Sequence, residues 1–279
     1  VVENNETEIL LEQVFLNGQR IGPEIPLRAL FFGEGLFETF RCRFRMPVLI
    51  DRHYSRMERG AEMLGIPFIE RKKFTTLVEK AVVGAGIRDA YVKVCLLSGG
   101  GLDYYNCASK GDIAIVVKDY ESKKGMVKAY ISEFRRSSDS PVRGLKSLNY
   151  LENIIARKAA EKGGFDEAVF LNERGEVAEG TASNIFWVEE DILYTPSIDC
   201  GILPGITREL ILSSANQLGL RIEEGRYSPE CVSDTRFAFL TSSLAGSSFL
   251  SHLDHSIFSP NDGLYESIKS LLFSELGWI

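Results

Sequence analysis

Three places in the sequence carry residue types that could take part in chemistry. The glycine triplet Gly99–Gly101 could approach a phosphate, His252 and His255 could bind a metal ion, and Lys146 could serve as a nucleophile or a base. Each place also has an ordinary interpretation. The glycine triplet could be a hairpin tip, the two histidines could be solvated at the surface, and Lys146 could be a solvated lysine before a helix. None of the three is specific when it is taken alone.

The motifs that would support these chemistries are missing from the sequence. No GxxxxGK[ST] segment is present, no GxGxxG lies between a strand and a helix, and no GxSxG occurs. Apart from Asp254, no cysteine or carboxylate cluster accompanies the two histidines, so no metal site is expected. The triplet is therefore interpreted as a flexible hairpin tip near the mouth of an active site.

Helices and strands alternate irregularly along the chain. Apolar residues at spacings of three and four predict a helix over His53–Leu64, with Gly65 as its left-handed cap. Three more helices are predicted at Lys73–Gly84, Asn149–Glu161 and Thr207–Gln217. Strands are predicted at Val14–Asn17, Leu36–Arg43 with its hairpin partner Met46–Ile50, Ala90–Leu97, Asp112–Val117, Val127–Phe134, Ala168–Leu171, Ile185–Val188, Ile192–Tyr194 and Ala238–Leu240. This mixture favours an α+β fold.

The most charged and least apolar passage in the middle of the chain is KDYESKKG, at 118–125. It predicts an interdomain linker at 119–125, because domain boundaries fall in exposed polar segments. A small N-terminal domain would then occupy 1–118, and a larger domain would occupy 126–279.

Composition excludes several classes of protein. The formal net charge is −7 and no basic stripe is present, so nucleic acid is not expected as a partner. No uncharged apolar run reaches 18 residues, and the acidic start of the chain differs from a secretory signal, so neither a membrane span nor a leader is expected. Five scattered cysteines without a CxxC motif are typical of free thiols in a reducing cytoplasm.

A series of short segments in fixed order is far more specific than any single motif. The series resembles the class IV aminotransferase family, which includes branched-chain aminotransferases, D-amino-acid aminotransferases and aminodeoxychorismate lyases, over roughly residues 14–260. The segments are FGEGLFET (32–39), HYSR (53–56), LKSLNYL (145–151), AEGTASNIF (178–186), YTP (194–196), GILPGITR (201–208) and TSSL (241–244).

The resemblance implies pyridoxal 5′-phosphate as the cofactor and a fold of type IV. In that fold a small N-terminal α/β domain precedes a larger C-terminal domain with a β-barrel-like core. The residues that match the family's cofactor site are Lys146 as the covalent attachment point, Glu179 facing the pyridine nitrogen, Arg56, Ile206 and Thr207 at the phosphate, Ser242 and Ser243 as further phosphate contacts, and Tyr150 near the ring hydroxyl.

The chemistry explains these residue types. A phosphate dianion is bound well by an arginine and by main-chain N–H groups at the start of a helix, which Pro204–Thr207 would supply. A carboxylate such as Glu179 keeps the ring nitrogen protonated, so that the ring can accept electrons. Lys146 must bond the cofactor and then act as a base, which requires a partly neutral amine near pH 7.

Three reactions share this machinery, and the residues near the substrate favour one of them. Phe37 stands where D-amino-acid aminotransferases carry a tyrosine, and the loop 97–103 lacks the Arg-x-His pair of that group. The turn at 241–246 and the segment Tyr194–Arg208 resemble aminodeoxychorismate lyases more than branched-chain aminotransferases, although Ser247–Phe249 departs from all three patterns.

A lyase that releases pyruvate and 4-aminobenzoate is therefore the favoured function. An aminotransferase acting on branched-chain L-amino acids or on D-amino acids is the alternative. The expected partners are a small amino substrate and a 2-oxo acid, and the resemblance implies a homodimer. A third alternative, outside the enzymes, is a binding protein with a decayed active site.

Overall fold

The computed structural model describes residues 15–16, 19–20, 26–122, 125–260 and 262–279. Its α-helices are α1 (Leu27–Phe32), α2 (Ile50–Leu64), α3 (Arg71–Ala85), α4 (Leu151–Lys162), α5 (Ile206–Ala215), α6 (Glu230–Ser233) and α7 (Gly263–Glu275). Its strands are β1 (Phe15–Leu16), β2 (Gln19–Arg20), β3 (Gly35–Arg43), β4 (Met46–Pro47), β5 (Asp89–Gly99), β6 (Lys110–Asp119), β7 (Met126–Arg136), β8 (Glu167–Asn172), β9 (Val177–Gly180), β10 (Asn184–Glu189), β11 (Ile192–Pro196), β12 (Arg221–Gly225), β13 (Phe237–Ser242), β14 (Gly246–Leu253) and β15 (Ser256–Ile257).

The first half of the chain builds a four-stranded antiparallel sheet in the order β4-β3-β5-β6. Strand β5 alternates strictly, because every second residue from Ala90 to Leu96 is fully buried and the residues between them are half-buried. The buried face packs on α2 and α3 through side chains such as Met57, Phe74 and Val78. The other face of the sheet is thereby left to line a cavity.

The second half builds a nine-stranded mixed sheet with the path β12-β11-β10-β13-β14-β7-β8-β9, to which β15 adds at β14. If this sheet were flat, β9 would lie about 24 Å from β10, five strand spacings away. Only residues 181–183 connect these two strands, and four Cα–Cα steps reach about 14 Å at most. The sheet therefore curls on itself, which gives the barrel-like core that the fold type implies.

Helices cover the outside of the curled sheet. Helices α5 and α7 pack on it through residues such as Leu210, Ile268 and Leu272, around a core of large aromatic side chains that includes Trp187 and Phe239. Helix α4 covers β8 with its small residues, which let the helix approach closely, and these are Ala156 and Ala160.

Most of the predicted elements are present, and their ends differ from the predicted ones by at most three residues. The left-handed cap at Gly65 is confirmed, since its φ is 64° and its N–H bonds to the carbonyls of Ala61 and Glu62. The predicted strand Met46–Ile50 is wrong beyond Pro47. Leu49 has a positive φ of 54°, which ends the strand, and α2 begins at Ile50. The ends of the predicted strand Val14–Asn17 lie outside the described residues.

The connection between the two sheets coincides with the charged passage. Strand β6 ends at Asp119 and β7 begins at Met126, and residues 123 and 124 are outside the described part. The division into two domains at this connection stays a prediction. Within the described residues, none of the helices combines the length and the apolar character that crossing a bilayer requires.

A short extended segment, residues 146–148, joins the two halves. The N–H of Phe37 donates to the carbonyl of Lys146 at 2.8 Å, and the N–H of Leu148 donates to the carbonyl of Gly35 at 2.9 Å. Ser147 forms an antiparallel bridge with Leu36 between these bonds. The segment thus extends the small sheet beside β3 and fixes the backbone of Lys146 at the boundary of the two halves.

Gly35 has no room for a side chain in this arrangement. A Cβ atom there would lie 2.6 Å from the carbonyl oxygen of Leu96 and 2.6 Å from Cδ1 of Leu148. We expect Gly35→Ala to lower the free energy of unfolding in urea by about 1–3 kcal/mol, as overpacking does. Gly84→Ala is the control, because Gly84 lies in α3 with no atom in reach, and it should stabilise by about 0.5–1 kcal/mol. Equal effects of both substitutions would contradict the close approach.

Candidate active site

A cavity of about 1190 Å³ lies where the segment 146–148, the small sheet and the barrel meet. Its volume is slightly above the roughly 300–1,000 Å³ that is usual for small-molecule sites. All eight residues that the sequence singles out line it: Arg56, Lys146, Tyr150, Glu179, Ile206, Thr207, Ser242 and Ser243. They come from α2, from the 146–148 segment and the residues after it, from β9, from the start of α5 and from the β13–β14 turn.

Lys146 is held at the centre of this cavity. Its Nζ lies 4.6 Å from the centre of the Phe37 ring, a cation–π distance. Burial and the nearby charge of Arg56 lower the pKa of Lys146 to about 8, although Glu38 and Glu179 oppose the shift. At pH 7 roughly a tenth of this amine is therefore uncharged, and this fraction can act as a nucleophile or a general base.

Glu179 is the last residue but one of strand β9 and is surrounded by hydrogen-bond donors. Arg136 donates a short hydrogen bond to Oε1, and Oε2 accepts from Asn184 Nδ2 at 3.2 Å and from the N–H of Leu203 at 3.0 Å. Burial raises the pKa of Glu179, whereas Arg136, the Leu203 N–H and Lys146 favour the charged form. Because a carboxylate offers about four lone-pair positions, one position on Oε1 stays available for a further donor.

Arg56 projects from α2 as part of a buried cluster with Glu38 and His53. Its Nε and Nη2 each lie 2.7 Å from a carboxylate oxygen of Glu38, and Nη1 donates to the carbonyl of Pro204 at 3.1 Å. His53 Nδ1 lies 2.6 Å from the same carboxylate. Three of the five guanidinium N–H groups are thus engaged, which orients the remaining two.

The charges in this cluster are set by its burial and its pairing. Burial alone would raise the pKa of Glu38, but the charge and hydrogen bonds of Arg56, with those of His53, lower it to about 2. Burial lowers the pKa of His53, and Glu38 opposes that shift. The cluster at neutral pH is therefore a salt bridge between Arg56 and Glu38, beside a neutral imidazole.

The start of α5 fits a phosphate group. Gly205 caps the helix without a side chain, and a Cβ atom there would lie 2.0 Å from Asn184 Oδ1, so only glycine fits. The first N–H groups of a helix have no partners within the helix. The Thr207 hydroxyl is buried without a hydrogen-bond partner among the described residues, and it lines the cavity. Unpaired donors at a helix start are what an anionic group requires.

Three further predicted residues line the cavity from other sides. The hydroxyl of Tyr150 donates to the carbonyl of Thr181 at 2.6 Å, and burial raises the pKa of this phenol. Ser242 and Ser243 begin the β13–β14 turn, where Ser242 Oγ accepts from the N–H of Ala245 at 3.2 Å. The buried hydroxyl of Thr241 has no hydrogen-bond partner among the described residues.

The sequence did not point to several residues that shape the site. Glu38 and His53 lie inside the quoted segments, and the spacing of three between His53 and Arg56 on α2 could have paired them. Arg136 comes from β7, and nothing local links it to Glu179. Lys93 lines the cavity with its Nζ 4.4 Å from the Phe37 ring, and no ion pair is found for it within the described residues. It therefore offers the cavity an unpaired positive charge.

The glycine triplet occupies a different place. Gly99–Gly101 connects β5 to the loop before β6 and does not line the cavity. Arg28 holds this loop by donating from Nη1 to the carbonyls of Gly101 and Asp103 at 3.0 and 2.9 Å. The loop is thus tied to α1 and is not a phosphate cradle of this site.

Comparison with known proteins gives a consistent result. Residues 35–251 match the family model for amino-transferase class IV. The chain is 33% identical to aminodeoxychorismate lyase from Bacillus subtilis over 76% of this chain and 75% of that protein. A Legionella pneumophila structure described as a "putative 4-amino-4-deoxychorismate lyase" superposes with a TM-score of 0.85 at 32% identity, covering 88% of this chain and 93% of that one. A branched-chain aminotransferase from Thermoproteus uzoniensis gives a TM-score of 0.82 at 26% identity, with 95% of each chain covered.

The lowered pKa of Lys146 can be measured on the amine itself. In the cofactor-free protein, trace labelling with acetic anhydride between pH 6 and pH 11, followed by peptide mass spectrometry, should give half-maximal labelling of Lys146 near pH 8. The cause is the unfavourable burial of the charged form beside Arg56. Half-maximal labelling near the ordinary value of 10.5 would show that the amine is fully solvated.

The Glu38–Arg56 pair generates a second prediction. We expect Glu38→Gln to destabilise the cofactor-free protein by about 3–5 kcal/mol, because it leaves Arg56 buried without a counterion. Since the pKa of Glu38 falls from 4.5 to about 2, the wild-type pair stabilises the fold above about pH 4.5, and this stabilisation is lost as the pH falls through 2.

Inorganic phosphate distinguishes this effect from a general loss of packing. A dianion bound at Arg56 replaces the missing counterion, so phosphate should raise the melting temperature of Glu38→Gln by more than it raises that of the wild type. Equal shifts, measured in chloride and phosphate buffers of the same ionic strength, would rule out a phosphate site at Arg56.

Proposed function

The chain belongs to the class IV aminotransferases, and from this premise we propose that it is a pyridoxal-phosphate-dependent 4-amino-4-deoxychorismate lyase. The observation that carries the proposal is the position of Lys146, an amine of lowered pKa that shares one cavity with Glu179, Arg56 and the start of α5. The family depends on pyridoxal phosphate in general. The identity with the Bacillus subtilis lyase supports the choice of reaction.

The residues of the cavity match the two ends of the cofactor. Arg56, the N–H groups at the start of α5 and the Thr207 hydroxyl would hold the phosphate, with Ser242 and Ser243 beside them. Glu179 would hold the ring nitrogen through its remaining lone pair, and Tyr150 would flank the ring. Bound there, pyridoxal phosphate supplies an aldehyde carbon that condenses with amino groups and a ring that draws electrons from the neighbouring substrate carbon.

Lys146 is the residue that holds the cofactor covalently and moves the proton. The neutral amine of Lys146 would take the proton from the ring carbon that carries the substrate's amino group, and the bound cofactor would draw electrons from that carbon. The bond between the adjacent carbon and the enolpyruvyl oxygen then breaks, and the released enol takes up a proton to become pyruvate. The six-membered ring becomes aromatic, so 4-aminobenzoate forms without any oxidant or reductant.

The positive charges of the cavity fit a substrate with two carboxylates. Lys93 lies on the open face of β5, and its Nζ and that of Lys146 are 4.4 and 4.6 Å from the centre of the Phe37 ring. Its unpaired charge can bind one carboxylate, and the residues of the β13–β14 turn border the cavity nearby. A cavity of this size also accommodates a ring, whereas a branched aliphatic side chain would leave Lys93 without a counterion.

We further propose a homodimer in the cytoplasm. Large side chains stay exposed on the loop after β5 and on α1, with Tyr104 80% and Tyr105 95% exposed, as expected of a surface that a second subunit covers. The five free cysteines fit a reducing compartment. Light scattering that gives the mass of a single 31.2 kDa chain would exclude the dimer.

Product analysis tests the proposed reaction. The holoenzyme, incubated with 4-amino-4-deoxychorismate, should release 4-aminobenzoate and pyruvate in equal amounts. Lys146→Ala should lower the rate roughly 10²–10⁴-fold or more, because the base is lost, and Lys269→Ala on the surface helix α7 is the control. If products form only from L- or D-amino acids with 2-oxoglutarate or pyruvate, the protein is an aminotransferase and the lyase proposal is wrong.

A further inference from the structure

The turn between β13 and β14 forms one wall of the cavity. Its residues 242–245 all line the cavity, and the next residue, Gly246, has a positive φ of 65°. Inside the turn, one hydrogen bond links the N–H of Ala245 to Ser242 Oγ. A turn with so few bonds of its own needs support from outside to keep a fixed position.

That support comes from the connection between the two sheets. Tyr120 directly follows β6, and its hydroxyl donates to the carbonyl of Leu244, at the tip of the turn, over 2.5 Å. The two residues are 124 positions apart in sequence. The bond therefore ties the tip of the turn to the small sheet.

Arg41 holds Tyr120 and the carboxyl-terminal tail together. Its guanidinium carbon lies 4.1 Å from the centre of the Tyr120 ring and 4.9 Å from a ring of Trp278. The same guanidinium pairs with Asp89 through two hydrogen bonds, the longer of which is 2.7 Å.

Trp278 also supports the far end of the turn. A Cβ atom at Gly246 would lie 2.6 Å from the Phe273 ring and 3.0 Å from the Trp278 ring, so both rings pack directly against the backbone there. Arg43 of β3 fixes the tail by donating to the carbonyl of Gly277 at 2.6 Å. The tail lies beyond residue 251, where the match to the family model ends.

We propose that Tyr120 and Trp278 are positioning residues for the active-site turn. Neither residue lines the cavity itself. They act through the backbone of residues 244–246, and Arg41 joins them. The carboxyl-terminal tail thereby helps to set the width of the cavity and its affinity for the substrate, whichever class IV reaction the enzyme performs.

Hydrogen exchange tests the position of the turn without any assay of activity. In the holoenzyme, Tyr120→Phe removes only the hydroxyl, so exchange of the amides at 243–248 should become faster while β7 and β8 stay protected. Tyr227→Phe is the matched control, because its hydroxyl also donates to a backbone carbonyl, that of Glu223 at 3.1 Å, at the far edge of the large sheet. The control should leave exchange at 243–248 unchanged.

Kinetic measurements distinguish a positioning role from a catalytic one. They rest on the proposed function, whereas the exchange measurement is independent of it. Loss of one hydrogen bond should raise KM about two- to tenfold, with a smaller change in kcat. Trp278→Ala should also raise KM. Trp278→Phe should keep KM close to the wild-type value, since its ring can still stack on Arg41. Unchanged exchange at 243–248 in both Tyr120→Phe and Trp278→Ala would overturn the proposal, and so would faster exchange spread evenly over the protein.

Discussion

The backbone pairing of residues 146–148 with strand β3 is the constraint on which the site depends. It attaches a segment of the second half of the chain to the sheet built by the first half, through two hydrogen bonds that involve Gly35 and Phe37. Gly35 makes this possible because any side chain would meet Leu96 and Leu148. The cavity can therefore open between the two sheets while the amine of Lys146 keeps a fixed position inside it.

Electrostatics around that amine follow from the same geometry. Two of the buried charges that line the cavity have a counter-charge from another element: Arg56 of α2 pairs with Glu38 of β3, and Glu179 of β9 pairs with Arg136 of β7. These pairs cost much less to bury than isolated ions would. They also leave a few oriented groups free to face the cavity, namely two N–H groups of Arg56, one lone pair of Glu179 and the hydroxyl of Thr207. A phosphorylated pyridine presents the complementary groups.

Local patterns predicted much of the fold, and the resemblance to a family predicted the residues that line the cavity. The helix at His53–Leu64 and its Gly65 cap follow from apolar spacing and from the freedom of glycine, and the structure reproduces both. The ordered segments led to Lys146, Glu179 and Thr207, which the fold brings to one cavity. Helix α7 was missed, although Asp262 accepts hydrogen bonds from the N–H groups of Leu264 and Tyr265 as an N-cap does.

Contacts between distant elements could not be predicted in this way. Arg136 and Glu179 lie 43 residues apart, and Tyr120 and Leu244 lie 124 apart, so no local periodicity joins either pair. The strand predicted at Met46–Ile50 fails for a related reason. Its residues are β-prone, but the left-handed conformation of Leu49 starts α2 early and places Arg56 over the cavity. Tertiary packing decided the conformation there, against local preference.

The central role of Lys146 is tested most directly by identifying the lysine to which the cofactor is covalently attached. The protein should be purified with pyridoxal phosphate, reduced with borohydride, digested and mapped by mass spectrometry. Reduction should abolish the visible absorbance and leave a single phosphopyridoxyl adduct on Lys146, with no adduct on Lys93, the other lysine beside the Phe37 ring. An adduct on Lys93 or on another lysine, with Lys146 unmodified, would contradict the role of Lys146.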